Sequence, residues 1–95
     1  MDGFTPSGPQ AREIVRKIAS TGTIVLTRHG RMRLRERNMT TQDVLNVLLG
    51  GYVVEVEPEV AGTYRVTVAT SRMTVVVVPR GEAELVLVTA WRNER

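Results

Sequence analysis

Cysteine is absent from this chain of 95 residues, which excludes disulfide stapling and thiolate zinc sites, and a single histidine, His29, leaves little for any other transition metal to bind. No cofactor and no metal centre are expected. Aromatics are nearly as scarce. Phe4, Tyr52, Tyr64 and Trp91 make up 4% of the chain, a count that argues against a single-strand binder built on stacked bases. No apolar stretch approaches the roughly 20 residues that cross a bilayer. The opening MDGFTPSGPQ has neither a basic start nor an apolar run, so no membrane association and no export by the usual route is expected, and a cytoplasmic protein is. Lysine is almost missing too: of 13 basic residues only Lys17 is not arginine. Arginine pairs bidentately with phosphate or carboxylate and stacks on bases, whereas lysine is a point charge. A GC-rich coding sequence would enrich arginine with no function attached.

What is present bounds the answer to one small domain with a modest core. Hydrophobic residues make up 42% of the chain, many of them valine, which excludes a disordered chain. Residues 1–8 hold Gly, Pro and Ser and read as a flexible arm, with a single domain over 9–95. The formal charge is +3 with a pI near 10.2, and its source is local, the remainder of the chain being slightly acidic. From Arg28 to Arg37 the chain carries Arg28, Arg31, Arg33, Arg35 and Arg37, the histidine, and one acid, Glu36. A solvated helix face is the plain reading of such a run. Yet these arginines repel one another, and Arg28 and Arg31 crowd the positive end of the helix dipole, where acids are favoured. A broken local rule is more expected where a polyanion supplies the countercharge.

Pro9 suits a helix start, and Ile14, Val15 and Ile18 predict an apolar stripe up to Ala19. Ser20-Thr21-Gly22 stops it, and Thr23 to Thr27 is a short strand by composition. A second helix is predicted from Arg28 to Arg37, capped by Thr27 and ended by Asn38 in the left-handed conformation, with Met39 folding back as its apolar contact. Thr40 opens a third, Asp43 taking the place of the capping-box acid and Gly50-Gly51 ending it. Strands follow over Tyr52–Glu57, Thr63–Thr70, Met73–Val78 and Glu84–Trp91, with turns short enough for an antiparallel meander. Met73–Val78 is apolar on both faces and should be central, while Thr63, Arg65 and Thr67 give the preceding strand one wet face. The predicted fold class is α+β, two or three N-terminal helices packed on a mostly antiparallel sheet of four to five strands.

His29-Gly30, Arg33, Glu36-Arg37-Asn38-Met39, Thr40, Asp43-Val44, Leu48 and Gly50 before a strand resemble the bacterial domain-of-unknown-function 4258 family, whose pattern is His-Ala-x-x-Arg-Met-x-Glu-Arg-Gly-Ile before a Ser/Thr-capped helix. The likeness covers residues 24–91. Gly30 replaces the usual Ala, Leu34 a Met, Asn38 a Gly and Met39 an Ile. The resemblance implies a RelE/BrnT-like fold, shared by many small toxins of toxin–antitoxin pairs that cleave RNA without a metal. It implies a cognate antitoxin as partner, and RNA, ribosome-bound mRNA included, as substrate. Fold alone does not confer function.

Metal-free RNA cleavage uses the ribose 2′-hydroxyl as nucleophile, and needs a base, cations at the phosphoryl oxygens and an acid for the departing 5′-oxygen. At helical spacing His29 and Arg33 share a face, with Glu36 nearby and Arg37 moderately rotated away; Arg28, Arg31 and Arg35 form a separate row. His29 is thus the candidate acid or base, Arg33 and Arg37 the phosphate clamp, and the second row a hold on neighbouring phosphates. Surrounding cations favour the neutral imidazole that can act as a base. The plain alternative makes His29 a structural hydrogen-bonder near Met32, and Glu36 a partner of Arg33 or Arg37. No Lys or Tyr accompanies His29 in the segment, so distant residues must complete the set. Arg65, on the wet strand face, joins the catalytic candidates, and Trp91 and Arg92, ending the last strand, the RNA-binding ones. Leu85, Leu87, Thr89 and Trp91 share a face by alternation, which equally makes Trp91 a packing residue. Tyr64 reads as core. Glu55, Glu57 and Glu59 could hold a metal or, more plainly, line a solvated edge strand. Three functions stay open: an endoribonuclease toxin, a non-catalytic basic module binding nucleic acid or an acidic protein, and an accessory protein that self-associates as a homodimer.

Overall fold

In the computed structural model, which describes residues 5–59 and 62–93, regular structure begins at a cap. The Ser7 hydroxyl accepts from the Gln10 amide at 3.3 Å, and the Gln10 side chain accepts from the Ser7 amide at 2.9 Å. This box satisfies two donors that a helix start leaves bare, so α1 (Gly8–Thr21) begins one residue ahead of Pro9. Of the expected arm, residues 1–4 lie outside the described residues. Ala11, Val15 and Ile18 form the buried stripe of α1, with Ile14 partly buried beside it.

After β1 (Thr23–Leu26), Thr27 caps α2 (Arg28–Glu36), its hydroxyl accepting from the Gly30 amide at 3.0 Å. Asn38 ends the helix at φ 56°. Its amide donates to the Arg35 carbonyl and that of Met39 donates to the Leu34 carbonyl at 2.8 Å, the pair of bonds that a left-handed terminus allows. Met39 and Leu34 both enter the core. Thr40 and Asp43 form the predicted box for α3 (Thr41–Gly50), which buries Val44, Val47 and Leu48.

The strands β2 (Tyr52–Pro58), β3 (Tyr64–Ala69), β4 (Met73–Arg80) and β5 (Glu84–Arg92) form the expected antiparallel meander, and β1 adds to β5 in parallel, giving the order β1-β5-β4-β3-β2. Apolar β4 is the middle strand, as its composition predicts. Among the described residues the fold is three helices on a five-stranded, mostly antiparallel sheet, which is the α+β class expected. One face carries the core: Val66, Val68, Val75, Val77, Leu85, Leu87 and Ala90 meet the buried residues of the helices. Each such fully buried Val or Leu contributes about 1.5–3 kcal/mol. No described helix is long and apolar enough to cross a membrane.

Two irregularities change what faces where. Along β5, Val77 pairs with Leu87 but Val76 with Thr89, so the extra residue between them reverses the alternation. Leu85, Leu87 and Ala90 therefore point into the core, while Thr89 and Trp91 point to the other face. The expectation that Leu85, Leu87, Thr89 and Trp91 share a face is thus corrected by a bulge. A second shift lies between Val53 and Glu55 of β2, so that Val53 and Val56 both pack on the core and Tyr52 does not.

Candidate nucleic-acid interface

The position of α2 follows from two contacts with β5. The ladder of β1 ends at Leu26 opposite Leu87, and there α2 takes over the strand's outer side: a Cβ on Gly30 would stand 2.8 Å from the Leu87 carbonyl oxygen. A glycine is what lets the helix backbone come this close. At the far end of β5, the Arg92 guanidinium donates to the carbonyls of Arg37 at 3.2 Å and Asn38 at 2.7 Å. Those carbonyls are helix-end acceptors left without intrahelical partners, and a cation there complements the dipole. Gly30 and Leu34 are the buried stripe of α2.

The rest of α2 is charge. Arg33 Nε donates to His29 Nε2 at 3.3 Å, and its Nη1 bonds Glu36 Oε1 at 3.0 Å. In the first bond the Arg33 N–H is the donor and His29 Nε2 the acceptor. Glu36 pairs with Arg33, the structural role weighed for it. By contrast Arg28, Arg31, Arg35 and Arg37 are exposed, and their side chains make no hydrogen bond or ion pair with any described residue. At 100° per residue, the His29–Arg33–Glu36 row and the Arg28–Arg31–Arg35 row flank the buried stripe on opposite sides. Met32 lies between them, 47% exposed; the apolar face belongs to Leu34 instead.

Arg65 is not brought to this group. It lies on β3, its Nε 3.7 Å from Glu57 and 3.2 Å from Glu59. The closer contact is an ion pair in which the N–H does not point along the line to oxygen, for that nitrogen has no hydrogen-bond partner. Two strand spacings, about 10 Å, separate β3 from β5 before α2 is reached. Two of the three clustered glutamates are thereby spoken for by an arginine. Trp91 is partly exposed on the face away from the core, and Arg92 serves as the tie at the end of α2. Sequence reasoning missed Gly30 as a contact and Arg92 as a tie. The departure of Gly30 from Ala in the family pattern was the one available signal for the first; a reach across 54 residues has no local signal for the second.

The arrangement offers an anion four guanidiniums that are unpaired among the described residues, next to an imidazole that Arg33 contacts. The model of a family described as Domain of unknown function (DUF4258) matches residues 26–92, more than half of the chain. No curated protein and no solved structure matches it.

Proposed function

The chain belongs to the DUF4258 family, and we propose that it is a toxin-like protein of a bacterial toxin–antitoxin system, a metal-independent endoribonuclease working in the cytoplasm. One observation carries this reading: the four guanidiniums of Arg28, Arg31, Arg35 and Arg37 have no partner among the described residues, beside the His29–Arg33 pair. Unpaired arginines at this density match a phosphate backbone. An entering phosphate competes with His29 for Arg33. As the guanidinium turns to a phosphoryl oxygen, Nε2 is released and takes the 2′-hydroxyl proton. The 2′-oxygen bonds to phosphorus, the bond to the 5′-oxygen breaks with its electron pair, and that oxygen is protonated from water. The product ends are a 2′,3′-cyclic phosphate and a 5′-hydroxyl. An antitoxin covering the same guanidiniums holds the protein inactive.

The Arg33–Glu36 ion pair favours a second reading. An arginine already matched by a carboxylate suits a basic module that binds RNA or an acidic protein without cutting. Incubation of the purified chain with RNA in excess chelator separates the two. The first reading expects cleavage that His29→Ala and Arg33→Ala both abolish while the circular dichroism spectrum is kept. RNA bound but left intact selects the second, and undiminished cutting by both variants removes these residues from the chemistry. Growth arrest on expression, relieved by a small acidic product of a neighbouring gene, tests the toxin role itself.

A further inference from the structure

The turn between β3 and β4 is pinned at several points. The Thr70 hydroxyl accepts from the amides of Arg72 and Met73, both at 3.2 Å. The Thr70 amide donates to the Met73 carbonyl, and the Arg72 carbonyl accepts from the Asn93 amide, each at 2.8 Å. The side-chain amide of Asn93 adds a bond to the Thr70 carbonyl at 2.9 Å. The backbone of Arg72 is thus fixed, yet its exposed side chain makes no hydrogen bond or ion pair with any described residue. A guanidinium carried on a fixed turn and bound to nothing is a donor already placed for a ligand.

Arg72 lines a cavity of about 230 Å³ between this turn and α3, together with Asp43, Asn46, Val47, Thr70 and Met73. Val47 is buried and Met73 half-buried, which gives an apolar floor. The walls carry opposite chemistry. On the α3 side Asp43 spends Oδ2 on the Thr40 amide at 2.9 Å, and its other oxygen has no partner among the described residues. Facing it, Arg72 can only donate. The two share the cavity without an ion pair between them among the described residues. A ligand that accepts on one side and donates on the other therefore fits where the two charges do not meet. The volume lies below the roughly 300–1,000 Å³ of drug-sized sites, which suits one planar base.

Guanine meets both walls at once. Its N7 and O6 accept from an arginine fork, while N1–H and the N2 amino group, on the Watson–Crick edge, donate to a carboxylate. Cytosine and uracil crowd donor and acceptors onto one edge, and adenine sets its N6 donor against the guanidinium. The cavity also lies where a strand held on α2 would continue. Thr40, which Asp43 bonds, is three residues beyond Arg37, at most about 11 Å of chain. Arg92, which holds the carbonyls of Arg37 and Asn38, is paired with Met73 of the cavity floor. We propose that this cavity binds an unpaired guanine of single-stranded RNA, Arg72 taking the N7/O6 edge and Asp43 the N1/N2 edge, while α2 holds the phosphates. It rests on the reading of α2 as a phosphate-binding surface and adds the base that the bound strand presents. A free guanine nucleotide carries the same edges, and the experiment separates the two sources.

The full chain is titrated, following anisotropy, with dye-labelled 12-nucleotide oligouridylates that carry guanine, 7-deazaguanine, adenine or uracil at one central position, and separately with guanosine monophosphate by calorimetry. The guanine oligomer binds about tenfold tighter than plain oligouridylate, and 7-deazaguanine, which lacks the N7 acceptor, loses most of that gain. Arg72→Met and Asp43→Asn each bring the guanine oligomer to the level of the uracil one. Arg72→Met breaks no side-chain bond among the described residues, and Asp43→Asn keeps an oxygen for the Thr40 amide, so both retain the circular dichroism spectrum of the parent. In Arg72→Met the change from guanine to 7-deazaguanine has no further effect. Equal affinity for all four oligomers, or a guanine preference undiminished in both variants, overturns the cavity and leaves the α2 surface standing. Guanosine monophosphate bound by the parent and lost in Arg72→Met, with no oligomer bound at all, overturns both the RNA source and the α2 reading and leaves a free-nucleotide site. No binding of oligomers or nucleotide removes both readings together.

Discussion

Arg31 and Arg65 are the same side chain under two regimes. At the β2–β3 side of the sheet Arg65 stands between Glu57 and Glu59, its charge matched by acids of the neighbouring strand and the loop that follows. At the opposite side α2 has a single acid, Glu36, and it is taken by Arg33, leaving four guanidiniums unmatched among the described residues. Arg28 and Arg31 moreover sit where the helix dipole repels them. Composition treats these arginines alike, and only the placement of the acids distinguishes charge used inside the fold from charge directed at something outside it.

The contrast breaks most visibly in binding. Replacing Arg28, Arg31, Arg35 and Arg37 by Ala together should weaken RNA binding about 100-fold or more near 0.1 M salt, while Arg65→Ala changes it little. Thermal unfolding of the fourfold variant sharpens the point: relief of like-charge crowding, a few tenths of a kcal/mol per pair, should leave it at least as stable as the parent, and a clear loss would mean these side chains serve the fold after all. Next in size is Gly30→Ala. Helix propensity alone would gain about 1 kcal/mol, but the added carbon meets the Leu87 carbonyl at 2.8 Å, so denaturant unfolding should show a net loss of about 1–2 kcal/mol. A stabilised variant would show that α2 can slide off β5 freely. Arg92→Ala removes the tie at the end of α2 and should cost about 1 kcal/mol, reduced from a buried charged bond because the group is exposed. Its signature is faster amide exchange at Asn38 and Met39. Smallest is a pH effect. Burial pushes the Tyr64 phenol above its ordinary 10.0. A raised folded value means its contribution is complete below pH 10 and is lost as pH climbs through the folded value, so Tyr64→Phe should flatten the alkaline decline in stability.

The helices and their ends were legible because their signals are local. Thr27, Thr40 with Asp43, and Asn38 with Met39 each act within five residues, and each is where the spacing predicts. The centrality of β4 was legible too, from apolar residues on both faces. The two bulges were not. In Val53-Val54 and Leu87-Val88 consecutive apolar residues fit either face, so hydrophobic pattern cannot say which is skipped. A missed bulge reverses every residue beyond it, which is how Trp91 came to be grouped with Leu85 and Leu87. The parallel pairing of β1 with β5 and the reach of Arg92 depend on contacts more than 50 residues apart, beyond any local pattern. For the site, the sequence located the charge on α2 but not which guanidiniums the fold consumes, since that depends on the placement of Glu36, Glu57 and Glu59.

The most direct test is the salt dependence of RNA affinity for the parent and for the Arg28/Arg31/Arg35/Arg37 fourfold alanine variant. Each lost phosphate contact removes about 0.7 from the slope of log affinity against log salt for a single strand, so the slope should become shallower by about 3. Identical slopes in the two proteins would mean that these guanidiniums face water and not phosphate.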